Sequence, residues 1–162
     1  MSHLVSVDVE FDDLSALGGG CTSIGWEFLE GQTTYKYAGY WADDSPVPDG
    51  IWSPEQTATV RAMSHAERKA WMEAHLGRCE HAIRVPGANY EVGIVRKHNG
   101  KWTMLWDWWS AGGLLAPMGG QDGRVLKRAY AAERTKQWAR RQGFRVQETK
   151  LAGGAVRLRL RK

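Results

Sequence analysis

Two cysteines in 162 residues are too few for a disulfide framework, so Cys21 and Cys79 read as free thiols of a reducing compartment. No apolar run nears the ~20 residues that a membrane crossing needs. The opening Met-Ser-His-Leu-Val has neither the charged nor the long apolar segment of a secretory leader. The expectation is a cytoplasmic protein with no membrane partner. Catalytic motifs are missing as well. Gly18-Gly19-Gly20 lacks the Lys-Ser/Thr ending of a phosphate loop, no Gly-x-Gly-x-x-Gly follows a strand, and there is no Ser-centred elbow. Neither Cys-x-x-Cys nor His-x-x-x-His spacing occurs. The carboxylate pair that stands out, Asp43-Asp44, sits in a proline-rich loop where water solvates it. No catalytic residue, metal set or cofactor is named by this pattern, which reads as a binding protein rather than an enzyme.

Acid is scarce in one place above all. From Gly123 to Lys162 there are thirteen Lys or Arg and two acids, Glu133 and Glu148, a balance of +11. The first 122 residues carry nine bases and sixteen acids, a balance of −7. Such an asymmetry creates a field that selects partners. The other excess is tryptophan, nine in all, which supplies large rigid surface for a core, a pocket or an interface.

The length suits one domain over 1–162 with a core of its own. Residues 3–11 alternate, with Val5, Val7, Val9 and Phe11 on one side, as in a half-buried strand. Asp12 or Asp13 can cap a short helix at 14–17, which Gly18-Gly19-Gly20 should end. Residues 26–29 and 33–40 read as strands joined through Gly31, with Tyr35 and Tyr37 sharing a face. After an acidic, proline-rich loop, Ser53-Pro54-Glu55-Gln56 and Ser64-His65-Ala66-Glu67 start two helices with capping boxes, the second running to Leu76 and stopping at Gly77. Residues of about 41–80 form a helical insertion in a sheet framework. A short strand at 82–85 precedes a hairpin of 90–97 and 101–109, turned at Asn99-Gly100. A two-residue turn there sets Val95 opposite Met104, Ile94 opposite Leu105 and Gly93 opposite Trp106. The last helix, about 123–142, is capped by Asp122 and ended by Gly143. Its stripe of Val125, Ala129, Ala132 and Ala139 lets it lie close on a sheet. A closing hairpin follows. The predicted order is β-α-β-β, the helical insertion, then β-β-β-α-β-β: an α+β fold with a largely antiparallel sheet and helices packed on one face.

Several stretches together carry a resemblance: Met1-Ser2-His3 before its alternating strand, Cys79 through Gly87, Ala129 through Arg134, Ala139 through Phe144, and Gly154 through Leu158. They resemble an uncharacterised family of small hypothetical proteins encoded in plastid genomes, cyanobacteria, other bacteria and some phages. The likeness leaves out much of residues 41–78. It implies a soluble α+β protein and supplies no catalytic residue.

Three constellations are candidates. In the closing hairpin Val156, Leu158 and Leu160 point inward, while Arg145, Arg157, Arg159 and Arg161 point outward. Lys127, Arg134 and Arg141 recur every seven residues as a basic stripe on the preceding helix. Together these can neutralise the phosphates of nucleic acid, or meet another acidic partner such as an acidic protein. The same charges also suit a solvated face, an edge strand protected from aggregation, or internal pairing with the acidic front half. Trp106, Trp108 and the neighbouring Asp107 and Trp109 form either an aromatic pocket for a nucleotide or small molecule, or the core of a hairpin buried on both faces. Asp107, if buried, needs a partner, for which an arginine is suited. Cys79 and His81, two apart on a strand, share a face and could meet as a thiol–imidazole or metal pair, or serve structure alone. A rival interface lies in the insertion, where Trp41, Trp52 and Trp71 could anchor a host protein.

Overall fold

The loop at Asn99-Gly100 joins the two strands from which the main sheet is built outward. The computed structural model describes residues 4–6, 9–39 and 47–162. The elements are β1 (Leu4–Ser6), α1 (Leu14–Ser23), β2 (Glu27–Glu30), α2 (Pro54–Ala62), α3 (His65–His75), β3 (His81–Arg84), β4 (Glu91–Arg96), β5 (Trp102–Asp107), α4 (Leu115–Met118), α5 (Arg124–Arg141), β6 (Arg145–Lys150) and β7 (Val156–Arg161). Five strands pair antiparallel in the order β1-β5-β4-β3-β2, and β6 and β7 form a separate two-stranded ribbon. The class is the α+β expected.

The hairpin register differs from the predicted one by a residue. Ile94 faces Met104, Val95 faces Thr103, and Gly93 faces Leu105 rather than Trp106. The cause is a three-residue loop. Lys97 N–H donates to Lys101 O at 2.7 Å, Gly100 N–H donates to Lys97 O at 2.9 Å, and Gly100 takes φ 83°. A turn followed by one left-handed residue is the next hairpin solution after the two-residue turn. Glu10 pins this loop from outside, accepting from Lys97 Nζ (2.8 Å), Asn99 Nδ2 (2.8 Å) and Lys101 Nζ (2.6 Å).

These donors, Lys101 foremost, lower the Glu10 carboxyl from its ordinary 4.5 to about 2. A carboxylate whose folded pKa is depressed contributes stability in full above its unfolded pKa and loses it as the pH falls through the folded one. Glu10 therefore supports the fold above about pH 4.5, and that support drains away between there and pH 2. Urea midpoints measured across this interval should fall less steeply in Glu10→Gln than in the parent chain. Parallel curves would remove Glu10 from the acid response.

Both faces of β4 and β5 are buried. On one face Ile83, Val92, Ile94, Trp102, Met104 and Trp106 pack with Phe11, Leu17 and Cys21 of the N-terminal region, Met118 of α4 and Leu126 of α5. On the other, Ala82, Val95 and Leu105 pack with Tyr35, Val60 of α2 and Met72 of α3. The helices thus cover both sides of the sheet, not one. The insertion occupies the second side because its capped helices are too short to bury a core alone. Both capping boxes form as read, at Ser53/Gln56 and Ser64/Glu67.

Three other elements depart from the sequence pattern. The 33–40 segment is no ladder strand as far as it is described (Tyr40 lies outside the described residues). It makes an isolated bridge, Thr34 to Arg78, and crosses the second face so that the Tyr35 ring covers Gly93. Helix α1 does not end at the glycine triplet but runs through it, capped by Asp13, whose Oδ1 accepts from Ala16 N–H. There glycine serves close packing rather than termination. A Cβ on Gly20 would stand 3.0 Å from the Ala129 and Tyr130 backbone, and one on Gly19 would stand 2.8 Å from the Glu133 side chain. Ala129 of α5 accordingly meets a helix and not a sheet. Finally, the residue that precedes α5 at its N-cap is Gly123, with φ 62° and no side-chain cap, so Asp122 does not cap the helix. A Cβ at Gly123 would lie 2.4 Å from Met104 Cε.

Candidate nucleic-acid interface

The C-terminal end of α5 sets the ribbon's position. Gly143, at φ 79°, donates to Arg140 O (3.0 Å), and Phe144 N–H reaches back to Ala139 O (2.9 Å). This paired ending closes the helix and directs the chain into β6. The ribbon's register then sorts its side chains. Arg145 faces Arg161, Gln147 faces Arg159 and Thr149 faces Arg157, all on one exposed face. Val146, Leu158 and Leu160 lie on the opposite, half-buried face.

Counter-charges decide which of the predicted cations are available. Arg134 is not: its guanidinium donates to Asp12 Oδ2 (2.7 Å) and Asp13 Oδ2 (3.2 Å). Tyr130 OH donates to the same Asp12, and this bond is the main reason that the Asp12 carboxyl sits below its usual range. Arg134 is therefore a clasp between the front of the chain and α5, and the seven-residue basic stripe loses its middle member. Lys136, nearly buried, is held by Glu133 (2.6 Å) and Glu148 (2.9 Å). One lysine thus takes up both acids of the last forty residues. Among the described residues, two of the thirteen C-terminal bases, Arg134 and Lys136, are paired in this way and eleven are not. Among the described residues, Lys127, Arg141, Arg145, Arg157, Arg159 and Arg161 have no carboxylate within ion-pair distance. The ribbon arginines and Arg141 are exposed, and Lys127 is half-buried.

The Trp-rich hairpin is core. Trp106 is fully buried in the first cluster and its Nε1 has no partner among the described residues. Asp107 is fully buried too. In place of the expected arginine, it accepts from the backbone amides of Trp109 (3.0 Å) and Ala38 (3.3 Å). Trp108 packs on the same cluster, and Trp109 is half-buried. None of these four lines any of the four cavities described. The roomiest, about 820 Å³, lies instead between α5 and the ribbon, walled by Val125, Ala132, Val156 and Leu158 with Arg128 and Lys150 on its border. An aromatic nucleotide pocket at Trp106 is excluded by this packing.

Cys79 and His81 do not meet on one face. Cys79 joins the second cluster, with Sγ donating to Gln32 O, while His81 stacks on Phe28 against the first. Strand β3 begins only at His81, so the two-residue repeat does not reach Cys79. Burial pushes the thiols of Cys21 and Cys79 up to about 12, which leaves both protonated and poor nucleophiles at neutral pH. In the insertion, Trp52 and Trp71 meet edge to face at 4.8 Å and pack on the second cluster. That makes them part of the insertion's attachment to the sheet. Trp41 lies outside the described residues.

One aromatic pair was not foreseen. Trp138, on α5, is 53% exposed and stacks on Phe144 with ring centroids 6.3 Å apart and planes 22° from parallel. Lys162 Nζ lies 5.7 Å from the Phe144 ring centre. The spacing held a signal, since Trp138 falls three residues before Arg141 and so on the basic side of the helix. No family model matches the chain, and neither a curated protein nor a solved structure matches it.

Proposed function

We propose that this chain is a non-enzymatic, cytoplasmic binding protein that lays its arginine ribbon against nucleic acid. The observation that carries this reading is the face formed by Arg145, Arg157, Arg159 and Arg161: exposed, gathered by the strand register, and without a neighbouring carboxylate. The ribbon's one acid, Glu148, is turned to the other side and held by Lys136. Like charges directly opposite, as at Arg145 and Arg161, oppose strand pairing. An anion lying across this face would neutralise both. Arginine suits phosphate because its planar fork pairs with two oxygens at once. Among the described residues no helix is long and apolar enough to cross a membrane. Membership of the uncharacterised plastid, cyanobacterial and phage family belongs to the same proposal and brings no competing chemistry.

Binding of RNA and DNA should weaken steeply as salt is added, because each neutralised phosphate releases counterions. Changing Arg157, Arg159 and Arg161 together to Ala should reduce the log–log salt slope by about 3 and weaken low-salt affinity about 30-fold. Absence of binding to either nucleic acid at low salt would overturn the proposal, and capture of an acidic protein instead would redirect the same face to that partner.

A further inference from the structure

We infer that the ligand is single-stranded, with one base stacked on Trp138. The inference rests on the polyanion reading of the ribbon and narrows it. Trp138 is the most exposed of the large hydrophobic side chains among the described residues. Its indole stacks on Phe144, whose backbone is bonded to Ala139 O at 2.9 Å. Cations adjoin the pair along the chain: Arg141 is one turn further along α5, Arg145 follows Phe144 directly and is paired with Arg161, and Lys162 Nζ lies 5.7 Å from the Phe144 ring centre. An open aromatic ring flanked by unpaired cations is the arrangement that grips a strand by its bases and its backbone together. A duplex hides its base faces, so it could use the arginines and gain nothing from the indole.

A contact between these two positions commonly accompanies this kind of helix ending. A leucine at 138 would serve that contact, but it would not stack on a base. The variant Trp138→Leu therefore separates packing from recognition. The probes are fluorescein-labelled oligothymidylate and a mixed-sequence DNA duplex of equal length, each titrated at low salt and followed by anisotropy. Oligothymidylate should bind the parent chain more tightly than the duplex does. Trp138→Leu should weaken oligothymidylate about tenfold, leave the duplex unchanged and keep the salt slope, as loss of one stacked base would. Trp138→Tyr should restore most of the affinity, and far-UV circular dichroism should be the same for all three proteins. Equal oligothymidylate binding by the parent and Trp138→Leu would overturn the stacking inference while leaving the ribbon reading intact, as would a preference for duplex. Binding of neither probe would overturn both.

Discussion

Trp106→Ala should lower the unfolding free energy by about 3–5 kcal/mol, the range for truncating a large buried aromatic whose site collapses only in part. The indole is fully buried, in the cluster that joins one face of the sheet to Phe11, Leu17, Met118 and Leu126. Its loss leaves a cavity between the sheet and three helices. The indole also carries a cost. Nε1 is buried with no acceptor among the described residues, and an unpaired buried donor forfeits about 1–3 kcal/mol. Trp106→Phe gives up ring area but removes that donor, so it should cost much less than the alanine change. Urea denaturation followed by circular dichroism measures both. A loss below about 1 kcal/mol for Trp106→Ala would mean that the site closes up, contrary to ordinary core behaviour.

Gly93→Ala should be nearly as damaging, at about 3 kcal/mol, although it adds a single methyl group. Gly93 is not in the left-handed region, so alanine has no backbone objection to its conformation. The obstacle is Tyr35. A Cβ at position 93 would stand 2.4 Å from Tyr35 Cδ1 and 2.6 Å from Cε1. The ring is itself buried and has nowhere to withdraw. The clash belongs to the pair, so the two positions should be coupled. In a cycle with Tyr35→Ala, the added cost of Gly93→Ala should largely vanish, an interaction of about 1–3 kcal/mol. Simple additivity would show that the tyrosine does not own that space.

Local chemistry wrote parts of this fold plainly into the chain. The capping boxes at Ser53 and Ser64 and the helix stop at Gly143 depend on residues three or four apart, and all three lie where the sequence puts them. The outward set of ribbon arginines follows from a strict two-residue repeat. What could not be read depends on partners far along the chain. Gly18-Gly19-Gly20 resembles a helix breaker until Ala129, more than a hundred residues later, is seen to need the space. Tyr35 and Tyr37 alternate like a strand because both cover a sheet face that no local signal announces. Arg134 carries the same charge as Arg141, and only the fold brings Asp12 and Asp13 to it. The Asn99-Gly100 turn lies where the sequence puts it, but its loop is one residue longer, which sets Leu105 rather than Trp106 opposite Gly93.

The ribbon's separation from the five-stranded sheet has a consequence for how this protein can change over generations. Its outward positions touch neither packed cluster, so exchanging an arginine there acts on the ribbon's own strand pairing and not on the core of the sheet. On the reading proposed above, the positions that meet the ligand and the residues that keep the chain folded are thus separate sets.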